Sequence, residues 1–163
     1  MASFIHLCDA RNLAMIRKNG IKPGKVNWRA HQGVFAVPVT PHFYYTYQWV
    51  RELRRNGTKI FTAVQFRIDD SQEVEFGRYN LEHVKMSAAE SVRTFLEDAN
   101  PHGFEVIIPR AILRKEIHRF FTPPQVVGWR YFPGSHGFKP CGCVVCQRGQ
   151  MNNRKLRESW NYT

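Results

Sequence analysis

Short runs of β-branched and aromatic residues constrain the fold of this chain more than any other feature. Such residues favour extended backbone, and each run has the length of a single strand. We expect strands at SFIHLC (3–8), GVFAVPV (33–39), KIFTAVQFRID (59–69), EVEFGRYN (73–80) and FEVIIPRAI (104–112), and a charged strand or turn at LRKEIHRFF (113–121).

Three segments between these runs predict helices, at 10–20, 40–57 and 88–100. Asp9 is a typical N-cap and Gly20 a typical stop for the first helix, whereas Thr40 and Pro41 suit the N-cap and first position of the second. The strands and helices do not alternate regularly, and the sequence contains no glycine-rich phosphate-binding turn. The pattern therefore predicts an α+β fold rather than a doubly wound sheet.

The chain is strongly basic, with a formal net charge of +11 over 163 residues. The charge is uneven, because residues 110–163 carry ten Lys and Arg against two Asp and Glu, whereas residues 1–109 carry fourteen against eleven. A positive field of this kind attracts phosphate polymers. We therefore expect nucleic acid as the main partner, bound through the C-terminal third.

Neither a membrane nor a secreted location is expected from the sequence. The chain has no run of about 18 apolar residues, and its N-terminus lacks the basic start and long apolar stretch of a secretory signal. We expect a cytoplasmic protein. In a reducing compartment, closely spaced cysteines more often bind metal or stay free than form disulfides.

Three cysteines lie within six residues near the C-terminus, at Cys141, Cys143 and Cys146. Thiolates at this spacing, with glycines for the tight turns, can hold a structural zinc ion. His136 is the nearest fourth ligand, and Cys8 or His118 are alternatives that the fold could bring in. The other interpretation is a cluster of free thiols.

Basic and aromatic residues are interleaved in the same region. Rings that stack on bases, with cations that follow phosphates, are typical of single-stranded nucleic-acid binding. Trp129 and Tyr131 are the candidate stacking residues. The candidate phosphate contacts are Arg130, Lys139, Arg148, Arg154, Lys155 and Arg157. The alternative is a solvated tail that aids solubility.

Three segments, in order, carry a resemblance to a known family. The first segment, IHLCDARNLAMIRKNGI (5–21), has a strand histidine followed by a helix with Asn-Leu and then Gly-Ile. The second, GVFAVPVTPHFYY (33–45), leads into a tyrosine-rich helix. The third, GFEVIIPRAI (103–112), has a glutamate at the start of an apolar strand. Together they resemble the His-Tyr-Glu type of the ADP-ribosyltransferase superfamily, over residues 4–117. Within it, the segments are most similar to the DarT-like toxins that modify DNA.

The resemblance implies split mixed or antiparallel sheets with flanking helices over residues 1–132, and a separate Cys-rich basic segment at 133–163. It implies an NAD-consuming mono-ADP-ribosyltransferase that acts on DNA or RNA, as a toxin with an antitoxin partner. Glu105 would be the catalytic carboxylate. His6, Asn12, Tyr44 and Tyr45 would bind NAD.

Those residue types suit the chemistry, because the reaction passes through an oxocarbenium-like centre. A carboxylate such as Glu105 holds the ribose hydroxyl and offsets the positive charge. Tyr44 or Tyr45 supplies a face for the nicotinamide ring, and His6 a hydrogen-bond donor for the adenosine-side ribose. Read alone, His6 and the tyrosines also suit structural roles, and Glu105 suits an exposed edge.

Two positions depart from the family pattern, and two other functions stay open. Val39 stands where DNA-directed members carry an arginine, so the group that assists the acceptor base is unassigned. Gly103 replaces the acidic or amide residue associated with arginine modification, which favours a nucleic-acid acceptor. RNA 2′-phosphotransferase is an alternative with Arg29, Arg67 and Arg78 on the phosphate, and a non-catalytic zinc-containing nucleic-acid binder is another.

Overall fold

The computed structural model describes residues 1–25, 32–54, 57–79 and 81–128, with the backbone alone of 135–136 and 139–140. Its main element is an antiparallel sheet with the strand order β6-β5-β7-β3-β1-β4-β8, with β2 paired on β3. The strands are β1 Ala2–Asp9, β2 Gly24–Lys25, β3 Gln32–Pro38, β4 Phe61–Ile68, β5 Glu73–Arg78, β6 Val84–Ser87, β7 Phe104–Ile108 and β8 Ile117–Phe121. β9 Ser135–His136 and β10 Lys139–Pro140 form a separate antiparallel pair.

Four short α-helices and two 3-10 turns accompany the sheet in the described part of the chain. They are α1 Leu13–Asn19, α2 Phe43–Thr46, α3 Val50–Leu53 and α4 Ala88–Glu97, with 3-10 turns at Ala10–Asn12 and Arg114–Glu116. The predicted α+β class is confirmed. Every strand pair found within residues 2–121 is antiparallel, so the described sheet is antiparallel rather than mixed.

The sheet is weakly joined at its centre, between β1 and β3. These strands pair at Phe4↔Pro38 and Ile5↔Val37, and the Val39 N–H adds a hydrogen bond of 2.9 Å to the Ser3 carbonyl. By contrast, β1 pairs with β4 along its whole length. Beyond Ile5 and Val37 the strands separate, and we call this gap the split. It divides the sheet into a β1-β4-β8 half and a β3-β7-β5-β6 half.

The apolar core lies on the sheet and beneath the helices. Phe4, Phe66, Val106 and Ile108 are fully buried in its largest cluster. A smaller cluster is formed by Tyr44, Val50, Phe61 and Val127. Consecutive residues are buried in the inner strands, as at Phe61–Val64 of β4 and Glu105–Ile108 of β7, so the sheet is covered on both faces.

The sequence predicted the first helix well. Asp9 accepts a hydrogen bond from the Arg11 backbone N–H at 2.9 Å, which confirms it as the cap of the first turn. Gly20 ends α1 with φ of 75°. A Cβ at this position would overlap the carbonyl oxygen of Ile112, so both the backbone angle and the lack of space require glycine.

The prediction of one helix over 40–57 is wrong. Within residues 40–54, which the structure describes, two separate helical turns form, α2 and α3, and the N-cap of α2 is His42 rather than Thr40. Between the two turns, Gln48 and Trp49 donate hydrogen bonds to the backbone carbonyls of Pro101 and Phe104. Tertiary hydrogen bonds outweigh the local helix pattern here.

The helices of the described residues are all too short or too polar to cross a lipid bilayer.

Candidate functional site

A pocket of about 150 Å³ lies where β1 meets α1. His6 and Asn12, which the sequence assigned to one ligand, both line it. The other lining residues are Cys8, Met15, Ile16, Asn19, Gly20, Ile21 and Lys22. A volume of this size holds one ring-sized group. We call it the β1 pocket.

His6 lies between the two halves of the sheet. Its Nδ1 is 2.8 Å from the carbonyl oxygen of Phe35 in β3, so the imidazole bridges the split. Burial lowers the pKa of His6 below its usual value, and the bond to the Phe35 carbonyl opposes this only in part. The ring is therefore neutral near pH 7.

The hydrogen bond also fixes which nitrogen of His6 carries the proton. A carbonyl oxygen can only accept, so the hydrogen is on Nδ1 and the neutral Nε2 has a lone pair. Among the described residues no second hydrogen bond to the His6 ring is found. His6 can therefore accept a hydrogen bond from a ligand hydroxyl, which differs from the donor role expected from the sequence.

Asn12 and Cys8 give the β1 pocket its other polar groups. Asn12 stands at the N-cap position of α1, yet its side chain makes no capping hydrogen bond, which leaves the amide for a ligand. Cys8 is two residues from His6 and lies on the same face of β1. Its Sγ is 3.6 Å from the Thr62 carbonyl, and burial raises the pKa of the thiol to about 11. Cys8 is thus a protonated, inert thiol in the pocket wall.

Glu105 lies in the other half of the sheet, in the interior strand β7. It pairs with Gly77 of β5, and it is 8% exposed. The alternative of an exposed edge residue is therefore wrong. Its Oε1 is 3.2 Å from Nε2 of His83, whose side chain is also buried.

The backbone leading into Glu105 is held from three sides. Gln48 donates to the Pro101 carbonyl at 3.1 Å and accepts from the Gly103 N–H at 2.7 Å. Trp49 Nε1 donates to the Phe104 carbonyl at 2.9 Å. We call residues 101–104 the 101–104 loop.

Arg78 holds the third side of the 101–104 loop. It donates to the His102 carbonyl at 3.0 Å, and its guanidinium lies 4.2 Å from the centre of the Phe104 ring. Arg78 also pairs with Asp98 at 3.2 Å. These contacts fix the position of the carboxylate that follows in β7.

The two tyrosines differ in their exposure. Tyr44 is buried in the smaller apolar cluster, which assigns it to the core. Tyr45 is only partly buried, and its ring centre lies 4.4 Å from that of His42 and 5.3 Å from that of His102. Tyr45 is therefore the more exposed of the pair, and neither tyrosine lines the β1 pocket.

The pairing of the strands relates the β1 pocket to Glu105. Ile5, next to His6, pairs with Val37, while Ala36 pairs with Val106, next to Glu105. Strand β3 thus separates the two site residues by two strand spacings, roughly 10 Å. Because side chains alternate along a strand, Glu105 lies on the face of Ile5, whereas His6 lies on the other face of the sheet. The split opens between them on the β1 side of β3.

The arginines expected for a phosphotransferase are not brought to the β1 pocket in the described part of the chain. Arg78 is engaged with Asp98 and the 101–104 loop, and Arg67 is exposed on β4. Arg29 lies outside the described residues.

The zinc and nucleic-acid candidates also stay predictions. Within the described ranges no group of three metal-binding side chains is found. The side chains of the predicted zinc ligands and phosphate contacts fall outside those ranges, where His136 and Lys139 are described only as hairpin backbone. Those residues are Cys141, Cys143, Cys146, His136, Arg130, Lys139, Arg148, Arg154, Lys155 and Arg157.

Sequence reasoning missed the residues that surround Glu105. Gln48, Trp49 and His83 lie far from it along the chain, and none stands in a recognisable motif. The one available signal was a Gln-Trp pair inside an apolar helical pattern, where a buried amide needs partners.

No family model matches this chain, and no curated protein or solved structure is significantly similar to it.

Proposed function

We propose that the protein is an NAD-dependent mono-ADP-ribosyltransferase that modifies nucleic acid. One observation carries the proposal. The β1 pocket has two polar side chains, His6 and Asn12, that can bind a ligand, and the buried carboxylate of Glu105 lies in the other half of the split sheet. An extended ligand that passes through the split, with a binding end and a reacting end, would contact both. NAD is a ligand of this kind.

His6 and Asn12 would hold one end of NAD in the β1 pocket. Nε2 of His6 accepts a hydrogen bond from a ribose hydroxyl, because its lone pair is the free end of a fixed tautomer. The Asn12 amide can both donate to and accept from the same nucleoside. Lys22, at the pocket wall, adds positive charge for the pyrophosphate.

Glu105 and Tyr45 would serve the reacting end. The bond between the nicotinamide nitrogen and C1 of the ribose breaks, and nicotinamide leaves with the electron pair. Glu105 accepts a hydrogen bond from the ribose hydroxyl and offsets the positive charge that develops on the sugar. A lone pair of the acceptor then attacks C1, and the acceptor gives its proton to solvent.

A nucleic-acid acceptor is supported by charge. Six of the ten Lys and Arg in residues 110–163 lie beyond residue 128, and the acidic residues there do not balance them. The absence of an acidic residue at Gly103 agrees with an acceptor other than protein arginine. The toxin role and an antitoxin partner rest on the resemblance alone.

The direct test is incubation of the purified full chain with NAD labelled on the adenine and with separate samples of single-stranded DNA, RNA and protein. We expect label on a nucleic acid, release of one nicotinamide for each ADP-ribose transferred, and no label with Glu105→Gln. Glu97→Gln, which changes an exposed residue of α4, is the matched control. Nucleic-acid binding without any nicotinamide release would favour the non-catalytic binder instead.

A further inference from the structure

Four exposed cations lie on two elements that pack against each other, α1 and the 3-10 turn Arg114–Glu116. Where the two elements meet, Ile21 and Ile112 exchange two backbone hydrogen bonds of 2.9 Å. A Cβ on Gly20 would lie only 3.2 Å from the backbone nitrogen of Arg114. The end of α1 and the turn therefore form one continuous surface. We call it the α1 surface, and its cations are Arg17, Lys18, Arg114 and Lys115.

The positive charge of the α1 surface is not balanced locally. In the described part of the chain, none of its four cations forms an ion pair. The nearest carboxylates along the chain already have other partners. Asp9 pairs with Arg11 at 2.7 Å, and Glu116 pairs with Arg110 at 2.7 Å. The cations of the α1 surface can therefore attract an anionic partner.

Arg17 is held in place by an aromatic ring of the sheet. Its guanidinium lies 5.2 Å from the centre of the Phe120 ring in β8. A cation held in this way loses less conformational freedom when it binds a phosphate than an unrestrained side chain does. Phe120 and His6 lie on the same face of the sheet, because both pair with Val64 of β4. The α1 surface is thus on the β1-pocket side of the sheet.

Amide side chains lie beside these cations. Asn12 and Asn19 are exposed, and both belong to the segment that lines the β1 pocket. Cations bind phosphates, and amides can donate to and accept from base edges. An anionic membrane would instead require a broad apolar face on the helix. Within α1, all of which is described, Met15 is the one large apolar side chain in an exposed position. The composition of the surface therefore favours nucleic acid.

We propose that the α1 surface binds the phosphate backbone of a nucleic-acid strand. The binding needs neither NAD nor a reaction, so the inference goes beyond the proposed function. It also differs from the expectation that nucleic acid binds through the C-terminal third, because Arg17 and Lys18 lie outside that third. Four phosphate contacts to a single strand correspond to a log-log salt dependence of about −2.8, at about −0.7 per contact.

Neutralisation of α1 tests the proposal on the full chain. Arg17→Gln combined with Lys18→Gln removes two charges and keeps the helix propensity. The Kd for a labelled single-stranded oligothymidylate, measured by fluorescence anisotropy, should rise about 25-fold at about 0.1 M salt, and the salt dependence should become shallower by about 1.4.

The matched control removes the same charge elsewhere. Arg93→Gln combined with Lys85→Gln changes exposed positions of α4 and of β6, the edge strand opposite β8. Its Kd should change by less than about threefold, because salt screens distant charges. Equal losses in the two double variants would show an effect of net charge alone and would overturn the proposal. Wild-type Kd in both would assign the binding to another segment and would also overturn it.

A second variant covers the case in which loss of the Arg17 contact to Phe120 disturbs folding. Arg114→Gln combined with Lys115→Gln changes the other element of the α1 surface. We expect a rise in Kd of similar size, about 25-fold. A wild-type Kd in this variant would contradict binding across both elements.

Vesicles of phosphatidylcholine and phosphatidylserine in equal parts test the membrane alternative. We expect the α1 double variant to lose binding to oligothymidylate and not to vesicles. The reverse result would overturn the proposal in favour of an anionic membrane. Because these measurements contain no NAD, they are independent of the proposed function. A protein that binds oligothymidylate as expected but transfers no ADP-ribose would refute the proposed function and leave this inference standing.

Discussion

The polar side chains in the two halves of the sheet differ in burial and in the number of groups that hold them. In the β1-β4-β8 half, His6 and Asn12 line an open pocket, and His6 makes one hydrogen bond to β3. In the β3-β7-β5-β6 half, Glu105 is buried beside His83, and the 101–104 loop ahead of it is hydrogen-bonded from three sides.

This difference separates binding from chemistry. Polar groups with spare hydrogen-bonding capacity can exchange water for a ligand at little cost. A carboxylate that acts on a transition state works best when the protein has already fixed its position. The split sheet places the two kinds of group in different halves, which share one apolar core but are hydrogen-bonded to each other at only a few residues.

The largest expected effect comes from filling the space at Gly20, on the pocket side. Gly20→Ala forces an unfavourable φ and overlaps the Ile112 carbonyl oxygen, so we expect the free energy of unfolding to fall by about 3 kcal/mol or more. Urea unfolding measures the change. Gly57→Ala is the matched control, because its φ is also positive, 89°, but a Cβ there would meet no described atom within 4 Å. Equal losses in both variants would show that space at Gly20 is unimportant.

Loss of the Gln48 side chain tests the rigid half. Gln48→Ala leaves the Pro101 carbonyl and Gly103 N–H without their buried partner, at a cost of about 2–3 kcal/mol. Transfer should fall as well, since the 101–104 loop positions Glu105. Gln65→Ala, which removes a single 3.3 Å bond to Ser3, should change stability by under about 1 kcal/mol. Similar results for the two glutamines would remove the contrast between the halves.

The sequence predicted the pocket side of the site far better than the carboxylate side. Asp9, the first helix and Gly20 follow local rules of capping and backbone conformation, whereas His6 and Asn12 were assigned to one ligand by the family resemblance. Glu105 was predicted as the carboxylate, but the residues that surround it and hold the backbone ahead of it come from three distant segments. A buried amide at Gln48 is a consequence of tertiary packing, which local patterns do not encode.

Acid should weaken the pocket side selectively through His6. Its pKa is lower in the folded protein, so the unfolded chain binds a proton first as the pH falls below about 6.5. The stability due to neutral His6 is present above that pH and is lost on further acidification down to the folded pKa. We expect up to about 1.4 kcal/mol per pH unit over that window. Urea unfolding of wild type and His6→Gln at pH 7.5 and 5.5 measures it, and identical pH dependences would contradict the assignment.

The smallest effect concerns Cys8, which should resist thiol reagents. With a pKa of about 11, roughly one thiol in a thousand is ionised at pH 8, so modification at neutral pH is slow. Mass spectrometry after brief alkylation should show Cys8 unmodified. Cys141, Cys143 and Cys146 should react at once if they are free, or only after a chelator removes metal if they hold zinc. Fast modification of Cys8 in the native protein would show that the pocket wall is open.

The division of binding and chemistry between the two halves is tested most directly by comparing His6→Ala with Glu105→Gln. NAD affinity is measured by calorimetry and ADP-ribose transfer with labelled NAD, on the same preparations. His6→Ala should weaken NAD binding about tenfold. Glu105→Gln should bind NAD within about threefold of wild type but lose transfer about 100- to 1,000-fold. Wild-type NAD affinity in His6→Ala, or transfer that survives in Glu105→Gln, would contradict the account.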